Sequence, residues 1–280
     1  INLWPNWLVV YVKNNDNSIC PANAFNKSRT RAMRRIGPHN IDVLSIIICL
    51  LLGDLNANKI KGEQMDSVRF SLEQCVNNSA YIHHLNILLH ELGYCSNVTP
   101  KLLVKSLCQE RGSITRFNYR LTTLSFTNLL WIYEGFYVNK NKKIPAWIGL
   151  FITPAALAHL VMQIGSLKEE GLILYLKLRD LQGISLIKTT LKNRYNILSA
   201  VIYEHREDEV FTVLCIRVES IPLLRDLIHP YMHPSLYYIL ETKCQNYTET
   251  FLYNKTHYKY EEKPFVNRGN RRINKKSGHL

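Results

Sequence analysis

The chain has 280 residues, 46% of them hydrophobic, and carries 35 Lys and Arg against 22 Asp and Glu for a formal charge of +13. This composition supplies a core and excludes wholesale disorder, and the length suits one large domain or two of about 100–150 residues. The longest uninterrupted apolar run, Ile46–Leu52, falls far short of the roughly 20 residues that a spanning helix needs, so an integral membrane protein is not expected.

Seven scattered cysteines (Cys20, Cys49, Cys75, Cys95, Cys108, Cys215, Cys244) show no C-x-x-C spacing. Neither a disulfide framework nor a zinc site is indicated, and a reducing compartment is expected. The charge is uneven: residues 1–40 carry +5, residues 241–280 carry +5, and the 200 residues between them only +3. Basic ends on a nearly balanced body point to nucleic acid as partner.

In chain order, residues 1–40 read as an extended basic arm, with Lys27, Arg29, Arg31, Arg34 and Arg35 as candidate phosphate contacts. Ile41–Gly53 is apolar nearly all round, a helix buried on most faces. Val68–Glu73 alternates with period two and predicts a half-buried strand that presents Arg69, Ser71 and Glu73 outward. Asn78 or Ser79 is expected to cap a helix running to about Leu92. Strands follow near Leu102–Leu107 and Arg116–Leu124. In the second of these Phe117, Tyr119 and Leu121 face the core, and Arg116, Asn118 and Arg120 face outward. A helix near Thr127–Tyr137 closes the first unit.

The second unit starts with a helix at Pro154–Gly165, Pro being well placed in a first turn. Leu172, Leu174, Leu176 and Leu178 then alternate with Ile173, Tyr175, Lys177 and Arg179. A helix near Ile184–Arg194, strands at Ile197–Glu204 and Val210–Val218, and a helix from Ser220 to about His229 complete it. Each half reads as helix–strand–strand–helix–strand–strand–helix, although only one strand before each middle helix can be placed. The outward faces, with Arg69, Arg116, Asn118, Arg120, Lys177 and Arg179, would together line a moderately basic saddle suited to a duplex or a structured RNA.

Residues 241–280 interleave Tyr247, Phe251, Tyr253, Tyr258, Tyr260 and Phe265 with lysines, then end in Arg268, Arg271, Arg272, Lys275 and Lys276. Arg and aromatic side chains in a segment of low apolar periodicity suit insertion into RNA. His83, His84 and His90 share one helix and are read as core or surface residues rather than ligands.

The run Ile47-Ile48-Cys49-Leu50-Leu51-Leu52-Gly53-Asp54, led by Arg34–Val43, resembles the first motif of the two-repeat LAGLIDADG family of homing endonucleases and maturases. Arg69–Gln74, Gly93–Ser96, Leu157–Ser166 behind Ile152-Thr153-Pro154, Ile221–Leu227 and Pro230–Ser235 match it in order and spacing, over residues 34–240. The resemblance implies an α+β fold of two pseudo-symmetric αββαββα repeats: a basic arm at 1–40, repeats at 41–145 and 146–240, and a basic aromatic extension at 241–280. It also implies two motif helices packed side by side, each ending in an acid that holds divalent metal over a scissile phosphate.

Asp54 keeps the first acid, but Gln163 and Ile164 stand where the resemblance implies aspartates, and isoleucine cannot coordinate a cation. The expected protein is therefore no enzyme: Asp54 is vestigial, the second acid is lost at Ile164, and no metal or cofactor is needed. Magnesium enters only if the chain is an active endonuclease. The reading that follows is a structural RNA-binding component of the mitochondrial matrix, foremost of the mitochondrial ribosome, as one monomer among rRNA and neighbouring ribosomal proteins. The alternatives are a group I intron maturase and a site-specific DNA homing endonuclease.

Overall fold

A computed structural model describes residues 25–241, apart from 26, 28–29, 38, 110–111, 140, 177–179 and 207–208. All the described residues fall in the compact unit Ile1–Glu241. The first run is α1 (Ile41–Leu50), β1 (Asn56–Ile60), β2 (Ser67–Cys75), α2 (Ser79–Glu91), β3 (Lys101–Gln109), β4 (Gly112–Thr122) and α3 (Leu130–Phe136). A short pair, β5 (Tyr137–Val138) and β6 (Asn141–Lys142), leads to the second: α4 (Pro154–Ile164), β7 (Gly165–Lys168), β8 (Gly171–Leu174), α5 (Leu181–Tyr195), β9 (Ser199–Arg206), β10 (Glu209–Arg217) and α6 (Ile221–Ile228). Each run is αββαββα, and each builds a four-stranded antiparallel sheet of the same order, β1-β2-β4-β3 and β7-β8-β10-β9. Among the described residues no helix is long and apolar enough to cross a membrane.

Local chemistry sets the helix starts. The Asn40 side chain accepts from the Asp42 and Val43 amides and opens α1, while Thr153 accepts from Ala156 with Pro154 in the first turn of α4. Asp180 caps α5 by accepting from Gly183, and its other oxygen takes the Ile144 amide, tying the linker to the second half. The expected side-chain cap on α2 is not made: Asn78 ends a 3-10 turn (Val76–Asn78) instead of standing in the extended backbone of a cap, and its side-chain amide nitrogen donates to Gln74. Both motif helices are buried along most of their length, α1 over Ser45–Leu50 and α4 over Ala155–Ile164.

The two sheets differ in their outward faces. In the first, Val68, Phe70, Leu72 and Leu121 enter the core, and Arg69, Ser71, Glu73, Arg116, Asn118 and Arg120 look outward, as the alternation predicts. In the second, Leu172, Leu174, Leu214 and Ile216 join that core, yet Ile173, Val213 and Cys215 on the opposite face are also buried, with Tyr175 and Ile202 packed on them. The expected polar face is therefore replaced by an apolar cluster, since both alternations of these strands carry aliphatic residues. The alternation from Leu172 to Leu178 also overstates the strand, which ends at Leu174. Lys177 and Arg179 lie outside the described residues.

Two further expectations are corrected. Phe117 does not follow Leu121 into the core: it stays exposed, one residue pair beyond Tyr119, whose ring meets His83. Arg35 belongs to no free arm. Its guanidinium donates to the carbonyls of Phe25 (2.8 Å), Ser125 (2.7 Å) and Thr30 (2.7 Å), and Phe25 is buried edge-on against Tyr94 and Phe126. Three carbonyl partners make Arg35 a tie between the leading segment and the first sheet, not a phosphate ligand.

Candidate nucleic-acid interface

After α1 the chain turns through Leu51–Asp54 into β1, which puts Asp54 at the helix end. Its carboxylate accepts from Gln74 Nε2 (3.1 Å), and Gln74 Oε1 in turn accepts from Asn78 Nδ2 (3.0 Å). This donor is a side chain from β2. Lys142 Nζ donates to the carbonyls of Gly53 (3.3 Å) and Leu55 (3.0 Å), a favourable place for a cation beside a helix C-terminus.

Across from this turn stands the end of α4. A Cβ on Gly53 would lie 2.7 Å from Ile164 Cγ2 and would clash with the Gln163 amide, so glycine is what allows the two helix ends to meet. In the orientation its neighbours require, the Gln163 amide nitrogen donates to the Leu50 carbonyl (3.3 Å) and its oxygen accepts from the Asp54 and Leu55 amides (both 3.3 Å). Gln163 thus clasps the end of the opposite helix where a pair of carboxylates would be needed. Hard cations take several oxygen ligands, and the donors here are one carboxylate and neutral amides. Among the described residues no group of three or more His, Cys, Asp or Glu is placed to hold a metal ion. The residues present do not fit a shared two-acid metal centre, and no hydrolytic step follows from them. Cys49 is equally unreactive: it is buried, its Sγ lies 3.4 Å from the Phe151 carbonyl, and burial pushes its thiol up to about 12.

The outward face of the first sheet carries the cations. Arg69 Nε donates to Ser125 Oγ (3.1 Å). Strand register sets Lys101 opposite Arg120 and Lys105 opposite Arg116, so all four side chains and Asn118 share one face. Glu73 sits among them, opposite Arg120 on β2, accepting from Arg120 Nε (2.9 Å) and Nη2 and from Lys105 Nζ. Burial works against its charge, but the hydrogen bonds from Lys105 and Arg120 prevail and hold its carboxyl below the usual range. Lys105 and Arg120 remain substantially exposed, so a phosphate can compete for them. Glu73→Gln is expected to raise affinity for random-sequence RNA severalfold and to steepen its salt dependence, by up to about 0.7 per cation that gains a phosphate. Filter binding over a salt series checks this.

The structure therefore brings Arg69, Arg116, Asn118 and Arg120 together with Glu73, on the outward face the alternation gives them, and adds Lys101 and Lys105, which sequence reasoning missed. Pairing arithmetic across the β3–β4 hairpin was the signal that could have found the lysines. Lys27, Arg31 and Arg34 are exposed on the leading segment. Arg29, Lys177, Arg179, Arg268, Arg271, Arg272, Lys275 and Lys276 lie outside the described residues.

A histidine group, with His159 buried and His84 and His233 nearer the surface, joins the two halves away from this face. Tyr81 Oη, from α2, lies 3.1 Å from His159 Nδ1 on α4, and the His84 and His233 rings approach to 4.9 Å. Burial pushes His159 down to about 3, with the nearby His84 adding to the shift. His84 and His233 are also lowered by burial, His84 further by His233.

Paired αββαββα units whose first helices pack side by side, their ends meeting at a glycine, define a LAGLIDADG architecture. The chain belongs to the LAGLIDADG DNA endonuclease family, whose profile matches residues 44–224. It is 32% identical over 211 residues to cytochrome b mRNA maturase bI2 of Saccharomyces cerevisiae, a match covering 73% of this chain and 48% of that protein. The chain thus spans about half the length of this relative. The like-named protein of Debaryomyces hansenii is 29% identical over 203 residues, 72% of this chain and 75% of its own length. Among solved structures, the homing endonuclease I-WcaI bound to its DNA recognition sequence shares the fold, with a TM-score of 0.59 at 18% identity over 84% of this chain and 97% of that one.

Proposed function

We propose that the protein is an intron maturase, an RNA-binding splicing cofactor of mitochondria that keeps the LAGLIDADG fold without double-strand DNA cleavage. The observation that carries this reading is the helix-end pair, where Gln163 and Ile164 face Asp54. Phosphodiester hydrolysis needs a metal to activate water and to neutralise developing charge, and one carboxylate held by Gln74 is a poor site for it. Loss of cleavage need not remove affinity, because the cationic face of the first sheet stands apart from the helix ends.

The names of the two maturase relatives support an mRNA precursor as target and a mitochondrial setting. The ribosomal reading gains nothing from the comparisons and gives way to the maturase reading. Because the outward face of the second sheet is an apolar cluster, the phosphate footprint is expected to lie mainly on the first repeat.

The test uses the full chain. With magnesium and a randomised duplex library no cuts are expected, while splicing of one cytochrome b precursor transcript should accelerate at limiting magnesium. Reproducible double-strand cuts would refute the loss of cleavage. Unchanged splicing of every precursor, with the protein sedimenting on a ribosomal subunit at high salt, would return the ribosomal reading.

A further inference from the structure

The β3–β4 hairpin has two unlike faces. Register pairs Lys101 with Arg120, Leu103 with Asn118 and Lys105 with Arg116 on the outward face described above. On the reverse, Leu102 pairs with Tyr119 and Val104 with Phe117. Helix α2 covers that reverse face only as far as Tyr119, whose ring meets His83 edge-on at 5.0 Å. One residue pair further along, Val104 is 60% and Phe117 45% exposed, with Leu102 beside them at 52%. Phe117 on β4 and the aliphatic side chains Leu102 and Val104 on the edge strand β3 stand open, and an uncovered apolar surface at a sheet edge invites mispairing.

We propose that this reverse face binds an unpaired RNA nucleotide, its base stacked on Phe117 and flanked by Val104 and Leu102, while the adjoining phosphates lie on Lys101, Lys105 and Arg116 of the opposite face. The argument rests on the RNA-binding reading above and on charge complementarity within one hairpin. A two-stranded ribbon is thin enough for a single polynucleotide strand to cross its edge and touch both faces. Duplex bases are stacked on one another and cannot do so, whereas splayed bases of single strands stack on aromatic side chains. A protein partner would account for the apolar face alone. The cations directly behind it fit a polyanion that passes around β3. Because every base has a π-face, this contact is tolerant of sequence and would select unpaired RNA over helical RNA.

The test is fluorescence anisotropy of the full chain with a labelled single-stranded RNA of mixed sequence and with the same RNA annealed to its complement. Phe117→Ala is expected to weaken single-strand binding about tenfold, leaving duplex binding and the salt slope unchanged, and Phe117→Tyr to bind as the native chain does. A 2-aminopurine base in the single strand should be quenched by the native chain and by Phe117→Tyr, and not by Phe117→Ala. Circular dichroism confirms that the exposed substitution leaves the fold intact. The proposal is overturned if Phe117→Ala binds both RNAs as the native chain does, or loses both equally. It is also overturned if the substitution spares RNA and abolishes docking of a protein. Should the native chain bind no RNA at all, the splicing reading falls with it; should the native chain bind and Phe117→Ala match it, only the stacking site falls.

Discussion

Ile164→Asp is expected to lower the melting temperature in chelator by about 5–10 °C, or roughly 2–4 kcal/mol for a domain of this size. Millimolar magnesium or calcium should restore much of that loss. Ile164 is 8% exposed and packs where α4 meets Gly53. Replacing it with a carboxylate removes buried aliphatic surface and sets a second negative charge near Asp54, which water can only partly solvate. A divalent cation bound between the two carboxylates relieves that repulsion and stabilises the folded state by mass action. Ile164→Asn makes the same packing loss without the charge and should melt low with or without metal. A thermal scan of the three proteins, with and without the cation, measures the effect. Equal stabilisation of the unmodified chain by magnesium would show that a metal centre survives without the second acid.

Acid should weaken the fold well above the carboxylate range. His159 is buried with its pKa pushed down to about 3, whereas in the unfolded chain it titrates near the ordinary value of about 6.5. Between those values the unfolded state binds the extra proton, so stability is full above about pH 6.5 and falls as pH drops toward 3. From pH 7 to pH 5 this one residue costs about 2 kcal/mol. His84 and His233 face each other beside it and shift in the same direction, so their contributions add to the decline. Urea midpoints across that pH range measure the slope. His159→Asn should flatten it even if it lowers stability at pH 7, because Tyr81 Oη then loses its imidazole partner. A midpoint independent of pH between 7 and 5 would contradict the buried neutral imidazole.

Most of the fold was legible because its buried elements have strong periods. The predominantly apolar α1, the alternation in β2 and the proline at the start of α4 each announce their element and nearly its bounds. Of the strands that escaped notice, β1 and β7 are short sheet-edge segments. In Asn56–Ile60 only Ala57 is buried, and Gly165–Lys168 has no fully buried residue, so neither carries a period-two apolar signal. The apolar cluster on the second sheet was half visible in Ile173 and Tyr175; its closure depends on Val213 and Cys215, forty residues later in the chain.

The site divides in the same way. That Asp54 stands without a matching acid follows from residue identity and needs no coordinates. That Gln163 clasps Leu50, Asp54 and Leu55, and that Gln74 and Lys142 hold the same turn, follows only from the packing of residues 20 to 113 positions apart. Glu73 was legible as an outward strand residue, yet its hold on Arg120 and Lys105 needs the register of three strands. The assignment of Arg35 to an arm failed because its partners are backbone carbonyls, which leave no trace in sequence.

The central proposal is that this chain works on an intron-bearing transcript, not on DNA and not within the ribosome. Ultraviolet cross-linking of the full chain in its own organelle, followed by sequencing of the attached RNA, tests it most directly. The account predicts cross-links concentrated within one intron of one precursor mRNA, reduced when Arg69, Arg116 and Lys101 are replaced by alanine. Cross-links spread along ribosomal RNA, or an absence of RNA with the chain recovered on a specific DNA site, would contradict it.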